Sequence, residues 1–464
     1  MSYDYTTYLS PFTWRYSSAK MRHVWSEVHK RRLWRQLWVT LAKTQAEFGL
    51  ISTEQVQDLQ AHQKQIDMDR ALAIEAEIHH DLMAELKTFA EQAHLGGGIL
   101  HLGATSADIE DNADALRIRE ALDIILSQLR ELLSAFARQV EAWAEVPAMA
   151  FTHLQPAEPT TLGYRLAQYA QDLYNDWQEL SGLREGFRGK GFKGAVGTGA
   201  AFGELLGTDQ LAVFEARLSE RLGLPFFSIT SQVYPRKQEY RVVSALAGLG
   251  GTLYKFSFDL RVLSSPPIGE LHEPFREGQV GSSTMPFKRN PINAEKVDSL
   301  ARSLARLPGL AWDNAAHSLL ERTLDDSANR RTLLPEAFLM VDELLAVTTK
   351  LVNGLQVDQP ALARNLSRYG PFAGTERVLV ALGKAGADRQ AMHERLRHHA
   401  LLAWEAVGAG EENPLLELVS EDEEFLGYLT AAQLRELMKI EGYVGDASQR
   451  AKELAKTIRE TIGE

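Results

Sequence analysis

None of the 464 residues is cysteine, which excludes disulfides, thiolate metal sites and a thiol nucleophile. Long apolar runs are missing too: nothing approaches the ~18 residues that a membrane-spanning helix needs. The most apolar stretch, Ser244 to Phe258, is interrupted by Gly248, Gly250, Gly251 and Lys255. The first sixteen residues lack the charged-then-apolar pattern of a secretory signal, so the expected location is cytoplasmic and no membrane partner is expected. Positive charge is in deficit, with 50 Lys and Arg against 62 Asp and Glu and a net charge of −12. That balance argues against a nucleic-acid partner, whose affinity would rest on neutralising phosphates. An anionic small molecule would need a local cluster of cations against an unfavourable global field. No glycine fingerprint follows a strand, so a dinucleotide or Walker-type site is not expected.

What the sequence does have is helical periodicity. From Ala113 to Trp143, apolar residues recur at Leu116, Leu122, Ile125, Leu126, Leu129, Leu132, Leu133, Phe136, Val140 and Trp143, the spacing of one helix face, and Pro147 ends the run. Similar stretches are predicted after Pro159-Thr-Thr161 to about Phe187, and over 239–263, 293–319 and 333–355. Shorter helices are expected over 24–48, 53–63 and 70–93, with Gly96-Gly97-Gly98 breaking the pattern. The Tyr369-Gly370-Pro371 turn is expected to mark a return to shorter helices. The fold class is therefore all-α, built on a long-helix bundle. Three domains are expected, at 1–102, 103–354 and 355–464, with no internal repeat or low-complexity segment.

Four clusters carry chemical groups. Gly281-Ser-Ser-Thr-Met-Pro-Phe-Lys-Arg-Asn-Pro291 is too irregular for a helix and gathers two serines, two cations and an amide, suited to meeting a developing oxyanion. A plain surface loop is the alternative. Thr152-His153-Leu-Gln-Pro156 places a histidine before a proline-bounded helix start, although a lone histidine is more often structural. His79-His80-Asp81 and His101-Leu-Gly-Ala-Thr105-Ser106 hold further histidines. Neighbours on a helix point about 100° apart, so they do not suit one metal ion. In Glu321-Arg322-Thr-Leu-Asp325-Asp326-Ser327-Ala-Asn-Arg330-Arg331, the aspartates suit a first helical turn, and Ser327 and Arg331 share a face. That makes a phosphate cradle, with a solvated ion-pair face as the alternative.

In this order and spacing the clusters resemble the fumarase/aspartase superfamily, and within it the adenylosuccinate lyase family in its animal-type form. The resemblance runs from Arg15-Tyr16 through Thr-Ser-Gln-Val-Tyr-Pro-Arg-Lys at 230–237 to Lys-Ala-Gly-Ala-Asp-Arg-Gln at 384–390. It implies a carbon–nitrogen lyase of purine biosynthesis that releases fumarate from adenylosuccinate, giving AMP, and from SAICAR, giving AICAR. It implies Ser282 as the base that takes the Cβ proton and His153 as the acid that protonates the leaving nitrogen, oriented by Glu295. His80 is implied as a second active-site histidine. Lys288 and Asn290 are implied to hold the succinyl carboxylates. Asp81, Thr105, Ser106, Thr152, Gln232 and Met285 are implied as substrate contacts, and Arg15, Tyr16, Arg322, Ser327 and Arg331 as the phosphate site. No metal or organic cofactor is implied. The family fold implies a homotetramer with a twenty-helix core and active sites shared between subunits.

The chain departs from family members at His79 and Lys296, where the animal form has arginine, at Gly199, which replaces a glutamine, and at Phe287, where tyrosine is frequent. Two rival readings remain open at this point. One is another lyase of the superfamily, of the argininosuccinate lyase or fumarase type, whose substrates would give Arg322, Ser327 and Arg331 no phosphate to hold. The other is a catalytically silent helical scaffold, against which stands the presence of every expected chemical residue.

Overall fold

The structure, a computed structural model, describes residues 5–275 and 278–464; the first four residues of the N-terminal segment lie outside it. Short helices open the chain: α1 (Pro11–Trp14), α2 (Ala19–Val24), α3 (Glu27–Glu47) and α4 (Thr53–His62). A serine starts each one, because the Ser10, Ser18, Ser26 and Ser52 hydroxyls accept backbone N–H groups left over in the first turn. The single helix expected over 70–93 is two helices, α5 (Met68–Ile78) and α6 (Asp81–Gln92). His79 turns left-handed, at φ 55°, and ends α5, while His80 is the N-cap of α6 and its Nδ1 accepts the Met83 N–H at 3.4 Å. The two histidines therefore occupy a break, and the geometry of neighbours on one helix does not apply to them.

The longest helix, α7 (Ser106–Ala142), matches the periodic run, but the segment after it differs from expectation. The His153 segment is the turn of an antiparallel hairpin, β1 (Pro147–Thr152) with β2 (Gln155–Thr161). Both turn residues, His153 at φ 55° and Leu154 at φ 61°, have the positive φ of a type I′ connection. The register pairs Phe151 with Pro156 and Met149 with Pro159. Prolines cannot donate to a ladder, which hides this strand from a pattern reading.

The chain continues with α8 (Leu162–Gly186), α9 (Ala200–Leu206), α10 (Leu211–Leu222), α11 (Lys237–Leu263) and the two-residue strand β3 (Leu271–His272). The helix expected over 293–319 is split into α12 (Ile292–Leu304) and α13 (Leu307–Ala316). Pro308, in the first turn of α13, has no N–H to give to the Leu304 carbonyl, so the ladder of α12 cannot run on into α13. Helix α14 (Asp325–Asn353) starts at the paired aspartates and runs through Pro335. After β4 (Gln356–Val357), which pairs with β3, α15 (Gln359–Lys384) continues through Gly370 and Pro371, where a turn was expected. The absence of a side chain at Gly370 makes room for Ile440: a Cβ there would lie 2.4 Å from Cδ1, and the isoleucine would have to shift. Helices α16 (Arg389–Ala409), α17 (Leu415–Ser420), α18 (Glu423–Leu426), α19 (Ala431–Met438) and α20 (Ala447–Ile462) complete the chain.

Two compact units result: Met1–Gln128 with Asp176–Gly251 and Leu300–Ala346, and Leu129–Asn175 with Thr252–Ser299 and Val347–Glu464. In the first, Leu37, Trp38 and Leu41 of α3 are buried, and the Trp38 and Phe89 rings lie 6.4 Å apart. The fully buried Glu85 of α6 accepts Arg35 Nε at 2.6 Å and Arg31 Nη1 at 3.1 Å, fixing α6 on α3. In the second, Val378, Leu382, Met392, Leu415, Val419, Phe425 and Leu434 form one core and Met149, Leu366 and Ile440 another. Among the described residues no helix is long and apolar enough to cross a membrane.

Candidate active site

In the first unit a cavity of about 430 Å³ is lined by His80, Asp81, Thr105, Ser106, Gln232, Arg322, Ser327 and Arg331, brought together from four stretches of sequence. Each stretch has its own anchor. His80 and Asp81 open α6, and Asp81 accepts Arg331 Nη2 at 2.9 Å. Thr105 and Ser106 lead into α7 and are fixed by Asp108, which accepts the Thr105 N–H at 2.9 Å and is itself paired with the fully buried Lys190. The Gln232 N–H donates to the Glu321 carbonyl at 3.2 Å. Two residues on, the Tyr234 N–H donates to Asp111 at 2.8 Å. At the start of α14, Asp326 accepts Arg322 Nη1 at 2.8 Å, holding that arginine beside Ser327.

Beneath these groups lies a layer of buried charge that sequence reasoning did not single out. Arg236 bonds Asp111 at 3.1 Å and Asp326 at 2.8 Å, and Arg330 bonds Asp114 at 3.0 Å and Glu239 at 2.5 Å. Two signals were present in the sequence: Arg236 lies inside the Tyr-Pro-Arg-Lys string and Arg330 is the neighbour of Arg331. Removing one partner of a buried pair strands the other charge, at a cost of about 3–5 kcal/mol. Glu110, on the same wall, is pushed up to about 7 by burial and by the carboxylates of Asp81, Asp111 and Asp114. Burial also pushes the Asp111 carboxyl upward. It raises the Tyr234 hydroxyl in the same direction, with Glu239 adding to the effect.

The remaining predicted residues lie elsewhere. Arg15 and Tyr16 follow α1, where the Arg15 guanidinium sits 5.6 Å from the Trp14 ring centre and the Tyr16 carbonyl accepts Arg22 Nη1 at 2.9 Å. Neither lines the cavity. The second unit carries His153, Thr152, Ser282, Met285, Lys288, Asn290 and Glu295. His153 and Thr152 stand exposed at the hairpin tip. The hairpin is held by Arg165, which donates to the Met149 carbonyl at 2.5 Å and to the buried Glu270 at 2.7 Å; Asn365 donates to the same carboxylate at 2.9 Å.

Ser282 sits in a tight turn whose Thr284 and Met285 N–H groups donate to its Oγ at 3.3 and 3.1 Å. Asn290 Nδ2 donates to the Gly281 carbonyl at 3.0 Å, tying the two ends of the loop together. Past that point Glu273, also missed by the sequence reading, accepts the Asn293 and Ala294 N–H groups at 3.1 Å and so caps α12. Lys288 is exposed, and Glu295 lies 3.9 Å from Arg261. Among the described residues, no hydrogen bond or ion pair joins His153, Ser282, Lys288 and Glu295 to one another. Of the departures, Gly199 has φ 71°, a conformation that glycine adopts without strain, and Phe287 is 81% exposed on the loop.

Chemically, the cavity offers cations and a helix N-terminus to an anion, and the loop offers a hydroxyl whose oxygen is already solvated by backbone dipoles. Comparison with known proteins agrees along the whole chain. A lyase family profile matches residues 12–305, and one described as the adenylosuccinate lyase C-terminus matches residues 371–454. The adenylosuccinate lyase of Schistosoma mansoni is 40% identical over 403 residues, covering 86% of this chain and 84% of its own. That of Saccharomyces cerevisiae is 36% identical over 464 residues, covering 98% and 95%. Among solved structures, the 3-carboxy-cis,cis-muconate lactonizing enzyme of Pseudomonas putida superposes with a TM-score of 0.85, covering 98% and 99% of the two chains at 24% identity. The helical fold is thus the one shared by the fumarase/aspartase-type lyases, with the His153 hairpin and the β3–β4 pair as its strands.

Proposed function

The chain belongs to the adenylosuccinate lyase family, and we propose that it splits fumarate from adenylosuccinate, leaving AMP, and from SAICAR, leaving AICAR, by β-elimination of a carbon–nitrogen bond. The observation that carries this substrate class is the cradle at the start of α14. Arg322, Ser327 and Arg331 line one cavity with His80, Thr105, Ser106 and Gln232. A substrate without a phosphate would leave that cradle unused.

In this reading Ser282 removes the Cβ proton. A serine alkoxide is strongly disfavoured in water, and the Thr284 and Met285 N–H groups aimed at Oγ favour the charged form. Loss of the proton places a second negative charge on the adjoining carboxylate, which Lys288 and Asn290 meet. His153 protonates the departing nitrogen, a task suited to an imidazole near neutral pH, with Glu295 orienting it. Met285, Thr152 and Asp81 complete the substrate contacts, and Arg15 and Tyr16 extend the phosphate site. The loop closes over the bound substrate and excludes water.

The same reading takes the assembly to be a cytoplasmic homotetramer with a twenty-helix core, each site drawing its His80, His153 and Ser282 regions from different subunits. It keeps the division at 1–102, 103–354 and 355–464. Exposed apolar side chains such as Val280, Phe287 and Ile292, in and beside the loop, support burial against a neighbour.

Absorbance assays of the purified protein with adenylosuccinate, argininosuccinate and malate test the function. Turnover of adenylosuccinate alone among the three is expected; turnover only of a substrate without a nucleotide overturns the assignment.

A further inference from the structure

One carboxylate touches two groups that the proposed function treats separately. Asp81 is the first residue of α6, and its side chain is only 12% exposed. Its Oδ1 accepts the Leu82 N–H at 2.8 Å, which fixes the plane of the carboxylate, and lies 3.9 Å from His80 Nδ1. Its Oδ2 accepts Arg331 Nη2 at 2.9 Å. Arg331 is otherwise 57% exposed, leaving most of its guanidinium fork available to a ligand. The same Nδ1 of His80 accepts the Met83 N–H at a long 3.4 Å, so one ring nitrogen faces both the carboxylate and the first turn of α6. Burial opposes a charged Asp81, yet Arg331 and Lys30 hold its carboxyl below the ordinary aspartate value, so the bridge is charged at neutral pH.

We infer that Asp81, besides its proposed contact with the substrate, is a positioning residue that couples the phosphate cradle to His80 through the Arg331–Asp81–His80 chain of contacts. The inference rests on the proposed reading of Arg331 as a phosphate contact. A phosphate that engages the free side of the fork draws positive charge away from Asp81 and shifts the guanidinium it holds. The carboxylate then turns, and because its Oδ1 is bonded to the Leu82 N–H and faces His80 Nδ1, the turn moves the start of α6 and with it the N-cap that carries the ring. Binding energy from a part of the substrate remote from the reacting carbon is thereby used to set an active-site histidine. The weak 3.4 Å cap and the 3.9 Å gap are contacts that such a shift can change.

The test uses the full-length protein and inorganic phosphate, with diethyl pyrocarbonate modification of His80 followed by mass spectrometry. In the wild type, phosphate should change the His80 modification rate by about fivefold, the lower range of coupling between linked sites. In Asp81→Asn and in Arg331→Ala the change should vanish, with thermal melting confirming that both variants fold. A wild-type rate indifferent to phosphate, or a response in Asp81→Asn equal to that of the wild type, overturns the coupling.

Kinetics supply the second arm. With adenylosuccinate and its 5′-dephospho analogue, the wild type should lose kcat as well as affinity when the phosphate is removed. Asp81→Asn should shrink that kcat difference to within about twofold, below the usual span of allosteric coupling. An undiminished difference also overturns the inference. A protein inert toward adenylosuccinate whose His80 still responds to phosphate refutes the proposed reaction and leaves the coupling standing.

Discussion

The cavity residues show how widely dispersed side chains acquire a common purpose. His80, Thr105, Gln232 and Ser327 are each unremarkable alone, and what joins them is a floor of buried ion pairs: Arg236 with Asp111 and Asp326, Arg330 with Asp114 and Glu239. His80, Thr105 and Ser327 were legible in the sequence because strings of chemically unusual residues carry them, whereas Gln232 was implied only by the family resemblance. The floor was only hinted at, by the places of Arg236 and Arg330 within such strings, since an arginine destined for burial looks the same in sequence as one destined for solvent. Two predictions belong here. Ser282→Ala and His153→Ala should each lower kcat by about 10² or more, the usual range for a positioned acid or base; rates equal to wild type in a steady-state assay would favour a silent scaffold.

The second prediction concerns Glu110. Its folded carboxyl titrates near 7 against an ordinary 4.5, so the folded protein retains this proton across pH 5–7 while the unfolded chain releases it. The stability it contributes is complete below pH 4.5 and is lost as pH rises through 7. Glu110→Gln, neutral throughout, should therefore gain on the wild type by on the order of 2 kcal/mol between pH 5 and pH 8. Denaturant unfolding of the ligand-free proteins at both pH values measures it, and parallel curves would show that the carboxyl is ionised at neutrality.

Among the elements, the long helices were readable because a 3.6-residue period sustained over α7, α8, α11 and α14 has few alternatives. Two of the misread places, the His79–His80 break and the His153 hairpin, share one cause: they are short segments whose conformation is set by neighbours. The His79–His80 break depends on a left-handed residue and an imidazole cap, neither of which can be read from a helical pattern. The His153 hairpin contains prolines where strand formers belong and lacks the Asn-Gly of its turn type. Propensity points elsewhere, and the Arg165–Glu270 anchor prevails. Leu154 has φ 61° and is 71% exposed, so it bears left-handed strain without contributing to a core. Leu154→Asn should relieve about 0.5–1 kcal/mol, because asparagine tolerates that conformation. A higher denaturation midpoint at unchanged slope is the expected result; an unchanged midpoint would mean that the turn is not strained.

For the molecule as a whole, the sequence specified a helical lyase fold more firmly than it specified an assembly. Inside one chain the predicted residues other than Arg15 and Tyr16 fall into a cavity group and a hairpin-and-loop group, each with its own anchors. If the sites are shared between subunits, inactive His153→Ala and inactive Ser282→Ala should complement one another. Co-refolding them in equal amounts would then restore up to about a quarter of wild-type activity, since random assembly gives that share of sites two intact residues. Sedimentation would report the tetramer in parallel. Activity that stays at the level of the separate variants would place both residues of every site in a single chain.

Pro335 lies four residues beyond Arg331 in α14, and its ring brings no N–H to the helix ladder. The Arg331 carbonyl is therefore denied the donor that its helical neighbours enjoy one turn on. The ladder beneath the cradle thus lacks a rung at the very residue whose side chain would grip the ligand.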